Sequence, residues 1–387
     1  MSVPIQKSRL FLLAVGHFLI DTYATMLAPI LPLIIIKLDL SNASAGVLGT
    51  IVALIGMAQP LMGMLADRHR RELFVVVGVA LAAVFTPLLG LASSFPATVL
   101  ALALGGIGTA AFHPASFAMA GDLSRSRRTF GLSLFIFGGT IALGITPLWI
   151  TRFAGTYGLE RLPWLTLPGL AMVLVLWRTV PANARRGRTQ SFRAMLQALA
   201  PHRNVLLLIT GIVILRSVTA ISFGTFLAVL EHERGVRVEE AGLPLSVYMT
   251  SGVVGSLIAG YLADRMHPKP LVWGGILLSA PLLWAYLHVP PGWTAYVLLG
   301  LGGALILSSN SVLVAIAQEL APDNAALASS LPQGFAWGLG GMTLPLVGYL
   351  ADQIGMQQAL SYLALLPVAT AAVAFLLPSS NAQAADS

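Results

Sequence analysis

Apolar residues run through this chain in long blocks, not in the narrow stripes of an amphipathic helix or the alternation of a half-buried strand. Residues 74–92 hold no charge at all, and residues 205–230 hold only Arg216. A spanning helix needs about 20 apolar residues, a barrel strand about 10 in alternation. The blocks therefore predict helices over 10–36, 44–66, 73–92, 97–120, 130–153 and 163–180. A second set follows over 204–230, 241–263, 270–288, 293–318, 326–350 and 357–377. Twelve spans of about 20 residues account for about 240 residues and leave short connections.

Composition closes off the other classes. Of 387 residues, 57% are hydrophobic and 10% charged. A soluble domain carries roughly 25% charged residues, and a disordered chain combines low hydrophobicity with high charge. The net charge of +7 does not point to nucleic acid, because the basic residues lie between apolar spans. The chain has no cysteine, which excludes disulfides and thiolate metal sites. Lys7 and Arg9 precede an apolar run that continues to about residue 36 and contains Asp21, without a small-residue cleavage site. That run reads as an uncleaved first span.

The longest polar stretch separates the sixth and seventh spans and carries Arg178, Arg185, Arg186, Arg188, Arg193 and Arg203 with no acid. It divides the chain into a half over 1–180, a basic cytoplasmic linker over 181–203 and a half over 204–387. With both termini in the cytoplasm, sixteen Lys and Arg residues fall on the inside and five outside, the polarity of a multi-pass protein of the cell inner membrane.

The two halves repeat each other. GMLADR at 63–68 returns as GYLADR at 260–265, LGG at 104–106 as LGG at 301–303, and Asp122-Leu123 as Glu319-Leu320, each at an offset of 197. GHFLID at 16–21 aligns loosely with GIVILR at 211–216, at 195. A near-constant offset means that the second half repeats the first in the same orientation. Parallel duplicated halves belong to transporters whose substrate site lies near the bilayer midplane.

Ionisable groups inside spans are costly and mark function. His17 and Asp21 share one face of the first helix, His113 lies in the fourth and Arg216 in the seventh. Through the repeat Asp21 matches Arg216 and His113 matches Asn310. An acid and a base at equivalent places predict a charge pair across a central cavity, or a site that alternates between internal pairing and substrate. Burial raises a carboxylate's affinity for protons and a guanidinium lowers it. Asp21 is therefore expected to carry a coupling proton, tuned by His17. Arg216, His113, Asn310, Gln333 and Trp337 are candidates for substrate contact. His113 precedes Pro114, so bonding a freed carbonyl at a kink is an equal expectation for it. The two Gly-x-x-Ala-Asp-Arg segments end helices at the cytoplasmic side. Gly63, Asp67, Arg68 and Arg71, with Asp264 and Arg265, read as gating contacts. Glycine clusters in the fourth, fifth and eleventh spans mark close helix packing.

GMLADRHRR resembles the loop signature of the major facilitator superfamily, departing from it at Arg70, where glycine is usual, and at Glu72. GHFLIDTYATMLAPILPLI (16–34), QPLMGMLADR (59–68), GIGTAAFHPAS (106–116) and FAWGLGGMTLPLVGYLAD (335–352) are similar to the fosmidomycin-resistance branch of drug efflux permeases. The span-five segment GGTIALGITP departs from that branch, whose members tend to have asparagine after the paired glycines. The resemblance implies an all-α membrane protein with twelve transmembrane helices in two parallel six-helix halves, the major facilitator fold. It further implies proton-coupled export of small, often anionic or amphipathic compounds, with Asp21, His17 and His113 at characteristic positions.

The sequence thus predicts a secondary transporter working by alternating access, with a small molecule, protons and the bilayer as partners. No cofactor, metal or nucleic acid is expected, and the protein is taken as a monomer. Proton antiport is the favoured reading, and import of an organic acid or sugar by proton symport is its alternative. An intramembrane enzyme is disfavoured, since no nucleophile or metal cluster accompanies the histidines. There is no Gly-x-x-x-x-Gly-Lys-Ser/Thr loop for a primary pump.

Overall fold

The structure is a computed structural model that describes residues 6–124, 127–180, 199–321 and 325–378. Arg125 and the linker residues Arg185, Arg186, Arg188 and Arg193 lie outside the described residues. No strand occurs among those described. Among the described residues, eleven helices are long and apolar enough to cross a bilayer. In chain order the first ten are α1 (Lys7–Leu38), α2 (Asn42–Arg68), α3 (Arg71–Gly90), α4 (Phe95–Ser124), α5 (Phe130–Tyr157), α6 (Leu159–Thr179), α7 (Ala200–Glu233), α8 (Gly242–Ala263), α9 (Pro268–His288) and α10 (Trp293–Leu320). The last, α12, covers Met356–Ala374.

The remaining expected span, 326–350, is where the structure departs most from a simple helix. It becomes α11, a broken rod of Ala325–Ser330, a π-helical turn Leu331–Ala336, Trp337–Gly341 and Leu344–Ile354. Pro332 and Pro345 cannot donate backbone hydrogen bonds, and Gly338, Gly340 and Gly341 offer no side chain to hold the rod straight. With α11 included, the chain has the twelve-helix architecture that its hydrophobic blocks predict.

Two compact units emerge. The first contains the described residues of Met1–Asp39, Leu54–Thr189 and Val238–Gly242; the second contains those of Leu40–Ala53, Gln190–Arg237 and Leu243–Ser387. Inside the first, α1 packs on α4 and α5, and α3 on α4 and α6. Inside the second, α7 packs on α10 and α11, and α9 on α10 and α12. The same pairs of elements, shifted by six helices, touch in each half, so the sequence repeat is also a packing repeat.

Lipid gives helices no hydrophobic reason to associate, so close backbone approach takes over. Where α3 meets α4, a Cβ on Gly108 would lie 2.5 Å from the Gly78 carbonyl oxygen, and one on Gly78 would lie 2.7 Å from the Gly108 carbonyl oxygen. Backbone faces backbone, and neither side can yield as a flexible side chain would. Gly108→Val is therefore expected to cost about 3 kcal/mol, at the upper end for overpacking. A fall of several degrees in thermal unfolding of the purified protein would register it, and an unchanged transition would refute tight packing there.

Candidate functional site

The first half gathers three ionisable side chains around one carboxylate. His17 and Asp21 stand one turn apart on α1, which places both on the side facing α4 and α5. His17 Nε2 lies 3.3 Å from Asp21 Oδ2. From α4, His113 brings its Nε2 to 3.0 Å from Asp21 Oδ1. The other nitrogen of each ring is fixed by a backbone carbonyl: His17 Nδ1 is 2.8 Å from the Phe135 oxygen, and His113 Nδ1 is 2.9 Å from the Thr109 oxygen. The Phe135 ring of α5 stacks on His17, with centroids 4.2 Å apart. Gly139, one turn further along α5, lets the helix close over the pair, since a Cβ there would fall 2.4 Å from Asp21 Oδ2 and 2.5 Å from His17 Nε2. His17 is buried, while the side chains of Asp21 and His113 keep 14% and 16% of their surface exposed. The carboxylate is therefore not fully enclosed by protein.

The second half builds the counterpart around a cation. Arg216 on α7 is fully buried. One terminal nitrogen lies 3.2 Å from Asn310 Oδ1 and the other 3.4 Å from the Ile306 carbonyl oxygen, both on α10. Its Nε has no hydrogen-bond partner among the described residues. The guanidinium sits 5.2 Å from the Trp337 ring centroid, on α11 just past the π turn. One of these contacts has its equivalent in the first half: Asn310 matches His113 at the offset of 197, and each holds the polar group of helix seven or one. Ile306 matches Thr109, whose carbonyl instead meets His113 of its own helix. Asp21 and Arg216 thus each find their partners inside their own half. Gln333 lies on the π turn with an exposed side chain and makes no hydrogen bond to Arg216.

The gating candidates divide. Asp67, at the end of α2, accepts from Arg71 through Nε at 2.9 Å and through a second, terminal nitrogen. Another terminal nitrogen of Arg71 is 3.6 Å from Asp122 on α4. Arg71 is buried, Arg68 is exposed, and Gly63 faces Pro114, whose Cβ would be 3.1 Å from an added methyl. In the second copy Asp264 and Arg265 are both exposed, and Arg265 turns back onto Tyr261, 3.6 Å from its ring centroid. The reason is one substitution: the place of Arg71 is taken by Pro268, so no arginine stands there to hold Asp264.

Two polar sites were not singled out from sequence. Asp352, on the last segment of α11, accepts from the backbone N–H groups of Asn42 at 2.7 Å and Ala43 at 3.0 Å, capping the start of α2. The segment GYLAD at 348–352 is a third copy of the repeated motif, and this was the signal available. Glu231, fully buried near the end of α7, accepts from Tyr286 Oη at 2.5 Å and from Arg234 at 3.2 Å. It lies one residue past the expected span, and nothing in the sequence ties it to Tyr286 on α9. Removing one partner of a buried ion pair leaves the other uncompensated. Glu231→Gln is expected to destabilise the protein by about 3 kcal/mol, whereas Tyr286→Phe loses one hydrogen bond, about 1 kcal/mol. Thermal unfolding of the two variants side by side checks the order, and equal transitions would contradict it.

The family model "Major Facilitator Superfamily" matches residues 13–345. This chain belongs to the major facilitator superfamily. It is 27% identical over 368 residues to the fosmidomycin resistance protein of Escherichia coli (strain K12), covering 92% of this chain and 89% of that one. It is also 27% identical over 384 residues to YfnC, an uncharacterized MFS-type transporter of Bacillus subtilis (strain 168), covering 96% and 93%. Among solved structures, the fold is similar to an inward-facing, unoccupied bacterial homologue of the human lysosomal transporter Spinster. The TM-score is 0.78 at 18% identity, covering 97% of this chain and 98% of that one. As a major facilitator protein it is a multi-pass membrane transporter and not an enzyme.

Proposed function

We propose that the protein is a proton-coupled antiporter of the inner membrane that exports a small, drug-like or anionic organic compound by alternating access. Asp21 takes the coupling proton, and His17 and His113 hold and tune it. The observation that carries this reading is a carboxylate on a membrane-spanning helix, met by two imidazole nitrogens at 3.0 and 3.3 Å and still partly exposed. A carboxylate kept only for structure would be sealed from water and satisfied by fixed donors. The likeness to a resistance protein supports export as the direction.

Arg216, Asn310 and Trp337 form the substrate end. A buried guanidinium whose hydrogen bonds go to neutral oxygens, with Nε unmet, is a place where a carboxylate or phosphonate gains charge-assisted bonds. Arg216 has no exposed surface, so a solute reaches it when α11 shifts Trp337 aside. The π turn before Trp337 supplies the irregular backbone for that movement. Arg71, Asp67 and Asp122 act as a cytoplasmic gate. Both termini lie in the cytoplasm, and one copy of the chain suffices for transport.

A growth panel of toxic compounds in an efflux-deficient host identifies the cargo. Uptake of that cargo into inverted vesicles, with and without a pH gradient, then tests the mechanism. Stimulation by an acidic lumen is the expected result, and stimulation by an alkaline lumen would replace antiport with symport.

A further inference from the structure

The hydrogen-bond accounting around Asp21 leaves a gap that a cation fills. A backbone carbonyl only accepts, so the contacts to Phe135 and Thr109 place the ring hydrogen on Nδ1 of both His17 and His113. Each ring, when neutral, then has its lone pair on Nε2. Both lone pairs point at the same carboxylate, at 3.3 and 3.0 Å. Two lone pairs and an anion repel one another unless a proton or a metal ion lies among them.

The spacing suits a metal ion. One ligand atom from each of the three side chains lies within 4.8 Å of the others. Zinc binds imidazole nitrogen and carboxylate oxygen at about 2.0–2.2 Å in a tetrahedral shell, which sets neighbouring ligand atoms roughly 3.3 Å apart. The 3.3 and 3.0 Å separations run to different Asp21 oxygens, so whichever oxygen binds, one nitrogen–oxygen edge is already close to that length and the other ligand pairs lie within 4.8 Å. Histidines that bind metals have their second nitrogen held by a carbonyl or carboxylate, which fixes tautomer and ring angle, and both rings here are held in this way. Gly139 keeps any side chain away from Oδ2 and the Nε2 of His17.

We propose that His17 Nε2, His113 Nε2 and one Asp21 oxygen bind a divalent transition-metal ion of the zinc class, with a fourth position open to water. The three come from two helices, α1 and α4, so a bound ion ties those helices together. It also occupies the atoms assigned above to the coupling proton, and micromolar zinc therefore arrests proton-driven transport. Binding itself stands on the geometry alone, while the arrest rests on the proton reading.

Full-length protein, purified without a histidine tag and stripped with chelator, is titrated with Co²⁺. The expected result is one equivalent bound, with the visible absorption of four-coordinate cobalt, displaced by one equivalent of Zn²⁺. Loss of a supporting hydrogen bond costs a metal site about 10–100-fold. Loss of a ligand in His17→Gln or His113→Gln is expected to reach at least about 100-fold, while His288→Gln leaves binding unchanged. Zn²⁺ should raise the unfolding temperature of the wild type and of His288→Gln, and of neither ligand variant. Six-coordinate cobalt spectra, no stoichiometric binding, or ligand variants that bind as tightly as the wild type would each overturn the site. Transport in chelator-treated vesicles reads the proton mechanism separately, so the failure of one proposal is not mistaken for failure of the other.

Discussion

Asp21→Asn is expected to abolish accumulation driven by a proton gradient while leaving exchange of cargo across the membrane intact. Asparagine has nearly the shape of a protonated aspartate and cannot release a proton. The variant can no longer trade a proton for cargo, and is expected to carry cargo in both directions without coupling it to proton flow. One charge crossing 100 mV gives about 2.3 kcal/mol, and a tenfold proton gradient about 1.4 kcal/mol. Together, roughly 3.7 kcal/mol sustains a several-hundred-fold gradient of a neutral solute. In inverted vesicles the wild type should approach that ratio, and Asp21→Asn should equilibrate near unity while trading labelled for unlabelled cargo at an undiminished rate. Coupled accumulation that survives the substitution would remove Asp21 from the mechanism.

The second large effect lies at Arg216, where function and stability are expected to part. Arg216→Met keeps a long, flexible chain against Trp337 and removes the charge. A charged hydrogen-bond partner is worth about 1.5–3 kcal/mol, so affinity for an anionic cargo should fall by roughly 10–100-fold. Stability should hold or rise, because replacing a buried charge by a well-packed apolar group is often neutral or favourable. Arg216→Lys keeps the charge but not the planar fork, and it should recover part of the affinity. Binding to purified protein and thermal unfolding, measured on the same samples, separate the two effects. A loss of several degrees in Arg216→Met with unchanged cargo affinity would make Arg216 a structural residue.

The helices were legible because a bilayer demands long apolar blocks, and this demand is written directly in composition and spacing. The repeat was legible as well, and it reaches the site: His113 and Asn310, 197 residues apart, meet Asp21 and Arg216. The broken form of α11 was not, because Pro332, Pro345 and the glycines around Trp337 signal a bend without saying that the rod divides into four segments. For His113 the sequence offers substrate contact or a carbonyl freed by Pro114, and the structure shows instead the Thr109 carbonyl one turn back and the Asp21 carboxylate on another helix. Such a pairing joins residues 92 apart and depends on how α1 meets α4, which periodicity does not contain. Asp352 and Glu231 were missed for related reasons. Asp352 stands in a motif whose first two copies lie at the ends of α2 and α8. The partners of Glu231 come from the turn that follows it and from α9.

Proton movement itself gives the most direct test of the central claim. The protein is reconstituted into liposomes that contain a pH-sensitive dye, and cargo is added outside. Antiport through Asp21 predicts that the lumen turns alkaline as cargo enters and protons leave, and that Asp21→Asn shows no change. Acidification, a silent wild type, or an equal signal from the variant would contradict it.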